Sequence, residues 1–255
     1  MKFEDIYSFD DFKKRKIRLE DIKEFKVESK FFDERTLFNL YRTMAKGIVS
    51  SIEFPVKEGK ESIVLAGKDK NDEWIAIKVY RILHCDFKNM WKYLIADPRF
   101  FHVRKSRLQV VITWARREYK NLKIAYKAKV NCPKPIFVLE NVLVMSFIGE
   151  NGIPSPRLSD IKIKNPKKMY EKVVEEIEKM SKAKLIHGDL SQFNILSKDD
   201  QPFIIDFSQA IRTRHPFAKE FLERDINNIN KFFKKLGVEI DENLFEKMKI
   251  VAGLE

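Results

Sequence analysis

Cysteine, histidine and glycine are scarce in this sequence, with two, four and eight copies among 255 residues. Cys85 and Cys132 stand far apart and match neither a zinc nor a redox spacing, which fits a reducing, cytoplasmic setting. The histidines, at positions 84, 102, 187 and 215, are scattered and offer no ligand cluster for a transition metal. Eight glycines and nine prolines are too few for a collagen-like or linker-like chain. No apolar run approaches the roughly 18–20 residues of a membrane helix. The longest, such as Val142-Leu143-Val144-Met145, are strand-sized, so no membrane partner is expected. The start, Met1-Lys2-Phe3-Glu4-Asp5, has acids where a secretory signal would carry basic and then apolar residues. Internal repeats and low-complexity tracts are missing too.

What is present suits a packed protein. Hydrophobic residues make up 44% of the chain, and the length allows one bilobed unit or two small domains. Fifty Lys+Arg against 38 Asp+Glu leave a formal charge of +12. That excess favours any polyanion, whether nucleotide, RNA or an acidic protein surface. Basic residues crowd at Arg99, Arg104, Lys105, Arg107, Arg116, Arg117, Lys120 and Lys123, and again at Arg212, Arg214 and Lys219. A merely solvated basic surface would look the same, so charge alone does not choose.

Residues 1–46 are polar with helical tendency and predict a helical N-terminal extension. From Ile48 the period becomes two. Ile52, Phe54 and Val56 alternate toward one face, Ile63 and Leu65 resume after a charged break, and Trp74–Tyr80 follows a second break. This predicts a three-stranded antiparallel meander. Residues 82–108 read as an irregular, flexible, charged insertion. Gln109–Lys129 has helical spacing, closed by Pro133 and Pro135. A hairpin turning at Glu140-Asn141 comes next, then a Gly/Pro-rich stretch at 148–156. Beyond it the pattern predicts a helix over Lys167–Lys184, short strands around Ile186, Asn194–Leu196 and Phe203–Ile205, and a helix from about Pro216 to Leu236. A strand-rich half and a mainly helical half predict two lobes.

The strongest chemical signal is His187-Gly188-Asp189-Leu190-Ser191-Gln192-Phe193-Asn194, followed by Ile204-Ile205-Asp206-Phe207-Ser208. Kinase-like phosphoryl transfer needs this set: Asp189 at the incoming hydroxyl, with Asn194 and Asp206 holding a metal on the phosphates. Magnesium is a hard ion and takes such oxygen ligands. In Trp74–Tyr80, Ile75, Ile77 and Val79 share one face, and Ala76 and Lys78 the other. A lysine on a buried-looking strand is costly unless its ammonium meets anions such as nucleotide phosphates and a helix carboxylate. Glu118 is the natural carboxylate, four residues from both Trp114 and Leu122 on the inward stripe. The loop Lys57-Glu58-Gly59-Lys60-Glu61-Ser62 would cover the phosphates, although its single glycine makes it neither a Walker A loop nor an ordinary kinase Gly-rich loop.

Together these residues resemble the RIO family of atypical protein kinases, most closely its first subgroup, across about residues 48–236. The matching segments are Gly59-Lys60-Glu61, Trp114–Leu122, Ile186–Ser191, Ile205–Ala210 and the Phe221-Leu222, Arg224-Asp225 and Asn228-Ile229 pattern. Lys57 and Glu58 depart from the family's hydroxyl-bearing loop, and Ser146 stands where the hinge usually has Glu. The resemblance implies an α+β, bilobed protein-kinase-like fold: an antiparallel-sheet N-lobe with one helix at 47–145, carrying the 82–108 insertion, a hinge at 146–150, and a reduced, mainly helical C-lobe at 151–255. It implies ATP and Mg2+, with Mn2+ as an alternative ion. Lys78 would position ATP and Glu118 would hold Lys78; Asp189 would be the catalytic carboxylate, and Asn194 and Asp206 the metal ligands. Val56, Lys60, Glu61, Ala76 and Met145 would line the nucleotide, and the backbone of Ser146 and Ile148 would read the adenine edge. The family also implies an aspartyl-phosphate on Asp206, ATPase cycling, and service in small-ribosomal-subunit maturation with pre-ribosomal RNA as a partner.

Few residues separate Gln209 from the helix near Pro216, leaving no room for a long activation loop or peptide-docking helices. Ser106, set among Arg104, Lys105 and Arg107, is a candidate autophosphorylation site. Two rival readings stay open. Small-molecule phosphotransferases of the aminoglycoside or choline kinase type share the His-Gly-Asp…Asn and Ile-Asp-Phe motifs. A nucleotide-sensing, RNA-binding scaffold would use the basic faces without catalysis, and its affinity would fall steeply with salt.

Overall fold

The computed structural model describes residues 32–82, 85–97, 99–100 and 104–254. Residues 1–31 of the expected extension lie outside the described residues, as do His84 and His102. The chain divides into two compact units. Of the described residues, the N-terminal unit takes those up to Leu94 together with 104–116 and 135–154; the C-terminal unit takes 95–100, 117–134 and 155–254.

The N-terminal unit is built on a five-stranded antiparallel sheet, in the order β1-β2-β3-β5-β4. Its strands are β1 (Ser51–Glu58), β2 (Ser62–Lys68), β3 (Trp74–Tyr80), β4 (Pro135–Leu139) and β5 (Val142–Ser146). One face carries Ile52, Ile63, Leu65, Ile75, Ile77, Val79, Val142 and Val144, which bury against Leu37, Leu40 and Met44 of helix α1 (Glu34–Ala45). Helix α1 starts where Asp33 accepts a bond from the Thr36 N–H at 2.9 Å, an N-cap that satisfies an orphan donor. Asn141 fastens the helix to the sheet. Its Nδ2 donates to Thr36 Oγ1 and to the Tyr80 carbonyl, both at 2.8 Å, and its Oδ1 accepts from Asn39 at 3.0 Å.

Strand β1 departs from simple alternation. Ile52 pairs with Gly67 and Phe54 with Ala66, and Gly67 and Ala66 point to opposite faces of β2. The bulge between them therefore puts Ile52 and Phe54 on opposite faces, not one. A second irregularity, between Pro55 and Lys57, leaves Val56 outside the paired register. Released from the core face, Phe54 meets Trp74 at 6.0 Å, and Trp74 in turn meets Phe147 at 6.2 Å. Gly152, at φ +78°, lies under these rings; a Cβ there would come within 2.7 Å of Phe54 and of Trp74.

The 82–108 stretch is not wholly irregular. Helix α2 (Phe87–Ile95) lies inside it, with Met90 and Leu94 one turn apart and buried and Tyr93 edge-on to Trp114 at 6.0 Å. Burying such side chains contributes about 1.5–3 kcal/mol each, enough to order a short helix among charges. Helix α3 (Arg107–Lys127) begins two residues earlier than its periodicity suggests. Ser106 caps it: its Oγ accepts the Gln109 N–H at 3.3 Å, the first half of a Ser-x-x-Gln capping box. Residues 107–116 of α3 belong to the N-terminal unit, and 117–127 to the C-terminal unit.

Past Ser146, a short ribbon of β6 (Gly149–Glu150) and β7 (Ile153–Pro154) ends the N-terminal unit. The C-terminal unit contains α4 (Pro166–Lys182), α5 (Ala218–Lys235) and α6 (Leu244–Ala252), with two small antiparallel pairs. One pairs β9 (Ile195–Lys198) with β10 (Gln201–Ile204); the other pairs β8 (Leu185–Ile186) with β11 (Ile211–Arg212). Val173, Ile177 and Met180 of α4 recur every three or four residues and are buried, as are Leu222, Ile226, Ile229 and Phe233 of α5. No helix among the described residues is long and apolar enough to cross a membrane.

Candidate active site

The loop between β8 and β9 carries His187-Gly188-Asp189 and Asn194, and the residue after Ile205 is Asp206. What aims this loop is helix α5. Arg224, Asp225 and Asn228 fall at i, i+1 and i+4, on one face of the helix. Asp225 accepts the Gly188 N–H at 2.7 Å and the Leu190 N–H at 2.8 Å, gripping the backbone on both sides of Asp189. Arg224 donates to the Gly188 carbonyl and Asn228 to the Leu190 carbonyl, the latter at 3.1 Å. Desolvation pushes the buried Asp225 carboxyl up to about 7, against the opposing pull of the two N–H bonds and Arg224. His187 is buried beside Phe207, and its Nε2 lies 3.0 Å from the Ile205 carbonyl. Its observed contacts tie the loop to the strand that delivers Asp206.

Within this frame Asp189, Asn194 and Asp206 come together. Asn194 Nδ2 donates to the Asp189 carbonyl at 2.8 Å and to its Oδ2 at 3.4 Å, which leaves the amide Oδ1 for another partner. Asp189 remains exposed as a residue, yet its carboxyl is held above the usual carboxylate range. Partial desolvation by the loop is the larger cause and the neighbouring Asp206 carboxylate the second; Arg224 and Asn194 oppose them. Asp206 sits at φ +66°, a left-handed conformation that is uncommon for a residue other than glycine. Two carboxylates and an amide oxygen make a hard donor set. Among the described residues no group of three or more His, Cys, Asp or Glu could enclose a metal. Magnesium fits such a sparse set, because it takes one or two carboxylates and fills its shell with water and phosphate.

The remaining candidates fall as follows. Lys78 lies on the central strand of the N-terminal sheet, between Val64 and Leu143, and is buried at 5% exposure. It is therefore not a snorkelling side chain at a sheet edge. Its ammonium stands 5.2 Å from the Tyr80 ring centre, and it shares with Ala76, Met145 and Leu143 the face opposite the α1 core. Ser146 pairs with Ile75, and Ile148 follows the end of β5. Gly59, Lys60 and Glu61 form the β1–β2 tip, where the Gly59 N–H donates to the Ser62 carbonyl at 2.9 Å. Glu58 at this tip pairs with Arg81. Glu118 lies on the C-terminal unit's part of α3 and is buried, as its shared stripe with Trp114 and Leu122 predicts. Ser106 is exposed at the start of α3.

The sequence carries the Arg224, Asp225 and Asn228 spacing but does not by itself assign these residues roles. Nor does it assign roles to Arg117 and Asn121, which are fully buried and reach the backbone after Asp206. Their signal was a charged or amide residue on the inward stripe of a helix, which demands a polar partner.

A model of the RIO domain matches residues 63–246. The chain is 42% identical over 245 residues to the RIO-type serine/threonine-protein kinase Rio1 of Methanocaldococcus jannaschii, covering 95% of this chain and 81% of that protein. It is 39% identical over 237 residues to the Rio1 kinase of Haloferax volcanii, covering 92% and 82%. Human serine/threonine-protein kinase RIO1 is 35% identical over 228 residues, which is 88% of this chain but 40% of that protein. In structure, the chain resembles the Rio2 kinase of Chaetomium thermophilum crystallised as an ADP/Mg2+-phosphoaspartate complex. The TM-score is 0.66 at 22% identity, covering 86% of this chain and 66% of that one, which shows the protein-kinase-like fold. A domain match over most of the sequence, and relatives along nearly all of it that include archaeal Rio1 kinases at 39–42% identity, place this chain in the RIO family of atypical serine/threonine-protein kinases.

Proposed function

We propose that the chain transfers the γ-phosphoryl group of ATP to serine, on itself and on a protein substrate, and also turns over ATP through Asp206. The observation that carries this reading is the α5-clamped loop, which presents Asp189 beside Asn194 and Asp206. Asp189, its basicity raised by its surroundings, accepts the proton of the incoming hydroxyl. Lys78, desolvated on its strand, supplies the positive charge for the phosphates, with Glu118 as its carboxylate partner. Val56, Lys60, Glu61 and Ala76 line the nucleotide, and the Met145–Ile148 segment receives the adenine edge. Asn194, through its Oδ1, and the Asp206 carboxylate would hold Mg2+, or Mn2+ in its place, which would neutralise charge on the phosphates. In the ATPase branch the Asp206 carboxylate takes the γ-phosphoryl group as the bond to ADP breaks. Water then returns it as inorganic phosphate.

Ser106 is the proposed autophosphorylation site. It is exposed, and a phosphate there would sit at the N-terminus of α3, where the helix dipole favours an anion. The +12 charge and the family resemblance support pre-ribosomal small-subunit RNA as a partner and the cytoplasm as the location. The test is γ-labelled ATP with Mg2+ and the purified chain. Label is expected on Ser106-containing peptides, on a generic protein substrate and in free phosphate. Asp189→Ala is expected to abolish transfer while ATP binding survives. Transfer mainly to aminoglycoside or choline would replace this reading with small-molecule phosphorylation. Undiminished turnover in Asp189→Ala would show that Asp189 is misassigned.

A further inference from the structure

Immediately after Asp206 the backbone makes a turn, in which the Ala210 N–H donates to the Phe207 carbonyl at 3.2 Å. Two side chains, both fully buried, cap the carbonyls of this turn. Asn121 Nδ2 donates to the carbonyls of Phe207 at 3.1 Å and Ala210 at 2.6 Å; Arg117 Nη2 donates to those of Ala210 at 3.2 Å and Gln209 at 3.4 Å. The buried Arg117 charge faces Asp97, Nε to Oδ2 at 3.6 Å. Arg99 grips the same Asp97 carboxylate and donates to Asn121 Oδ1 at 2.9 Å, closing the network. From the other side, Gly188 lets the Gln209 carbonyl approach; a Cβ on residue 188 would meet that oxygen at 2.9 Å. The main chain of Gln209 is thus held between the catalytic loop and α3.

The side chain of Gln209 points its Nε2 at Asp189 Oδ2, 3.2 Å away. Asn194 donates to that same oxygen. Among the described residues both donors to this carboxylate therefore lie on Oδ2, and Oδ1 is the oxygen left to accept. We propose that Gln209 is a positioning residue, held by the Arg117–Asn121 clamp, that fixes the rotation of the Asp189 carboxylate so that Oδ1 faces the incoming hydroxyl. The residue type suits the task. An amide donates without adding charge beside Asp206, whereas a lysine would neutralise the carboxylate and a glutamate would offer no donor. The proposal rests on reading Asp189 as the proton acceptor.

The test compares Gln209→Ala and Gln209→Glu with the unaltered full chain, using ATP and Mg2+. Losing one hydrogen bond to a charged group is expected to lower kcat roughly ten- to a hundredfold. The KM for ATP should stay within about twofold, because Gln209 acts on the acceptor side of the transfer. Glutamate, although the same shape, is expected to be at least as poor as alanine. A Gln209→Glu variant with wild-type kcat would reduce the residue to shape and overturn the proposal, as would an unchanged kcat in Gln209→Ala. A second readout needs no turnover: the Gln209 side-chain NH2 resonances, assigned in a 1H–15N spectrum, should shift when Asp189 becomes alanine. If they do not move, the contact is absent and the proposal fails. If they move while the unaltered chain transfers no phosphate, the contact stands and the kinase reading fails instead.

Discussion

Alanine at position 225 would delete both acceptors for the Gly188 and Leu190 N–H groups, which Asp225 holds at 2.7 and 2.8 Å with only 2% of its own surface exposed. Each orphaned buried donor costs about 1–3 kcal/mol, so the two together predict a loss of about 2–6 kcal/mol. Against a total of about 5–15 kcal/mol for an ordinary domain, that is a large fraction. Denaturant unfolding of Asp225→Ala should show this loss as a lowered midpoint at unchanged slope. Phosphoryl transfer should fall in parallel, because the backbone on both sides of Asp189 loses its anchor. Asp225→Asn keeps one acceptor but turns an amide donor toward an N–H, and an intermediate loss is expected. Charge adds a second, independent signature. Burial raises the Asp225 carboxyl from 3.8 to about 7, so the folded chain holds this proton more firmly than the unfolded chain does. Its contribution to stability is complete below about pH 4 and is lost as the pH rises through about 7. Wild type should therefore lose stability relative to the permanently neutral Asp225→Asn across that window. An Asp225→Ala protein that unfolds within about 0.5 kcal/mol of wild type and still turns over would refute the argument.

Gly188→Ala puts a Cβ 2.9 Å from the Gln209 carbonyl at φ +77°, where an L-residue is strained by roughly 1–2 kcal/mol before any clash. Unfolding should register at least that loss with reduced transfer, and a change below about 0.5 kcal/mol would contradict the close approach. The Cys132 thiol is pushed up to about 12, chiefly by burial and then by Glu176. Its thiolate is therefore scarce at neutral pH, and iodoacetamide should modify it only through unfolding. Mass spectrometry showing rapid modification of native Cys132 would contradict that burial.

Much of this protein can be read locally. The 187–194 and 204–208 segments, and the lysine on an apolar strand, stand out as candidates because their spacing lies within one loop or one strand. Helix α4 follows its apolar period, and its start is capped by Asn165, whose side chain accepts the Lys168 N–H at 3.0 Å. Helix α2 escaped because its nine residues are too few for a periodicity to stand out among the surrounding charges. The bulges in β1 escaped because an extra residue reverses which face a side chain takes while leaving the composition unchanged. The sequence by itself determined the family, the candidate phosphotransfer residues and most elements, since hydrophobic period and motif spacing are properties of neighbouring residues. Only the tertiary structure decided what aims those residues: Asp225 reaches partners 35 and 37 positions away, and Arg117 and Asn121 reach theirs across 86 to 93. Side chains so far apart in the chain meet only when buried polar groups, cut off from water, must find one another in the folded core.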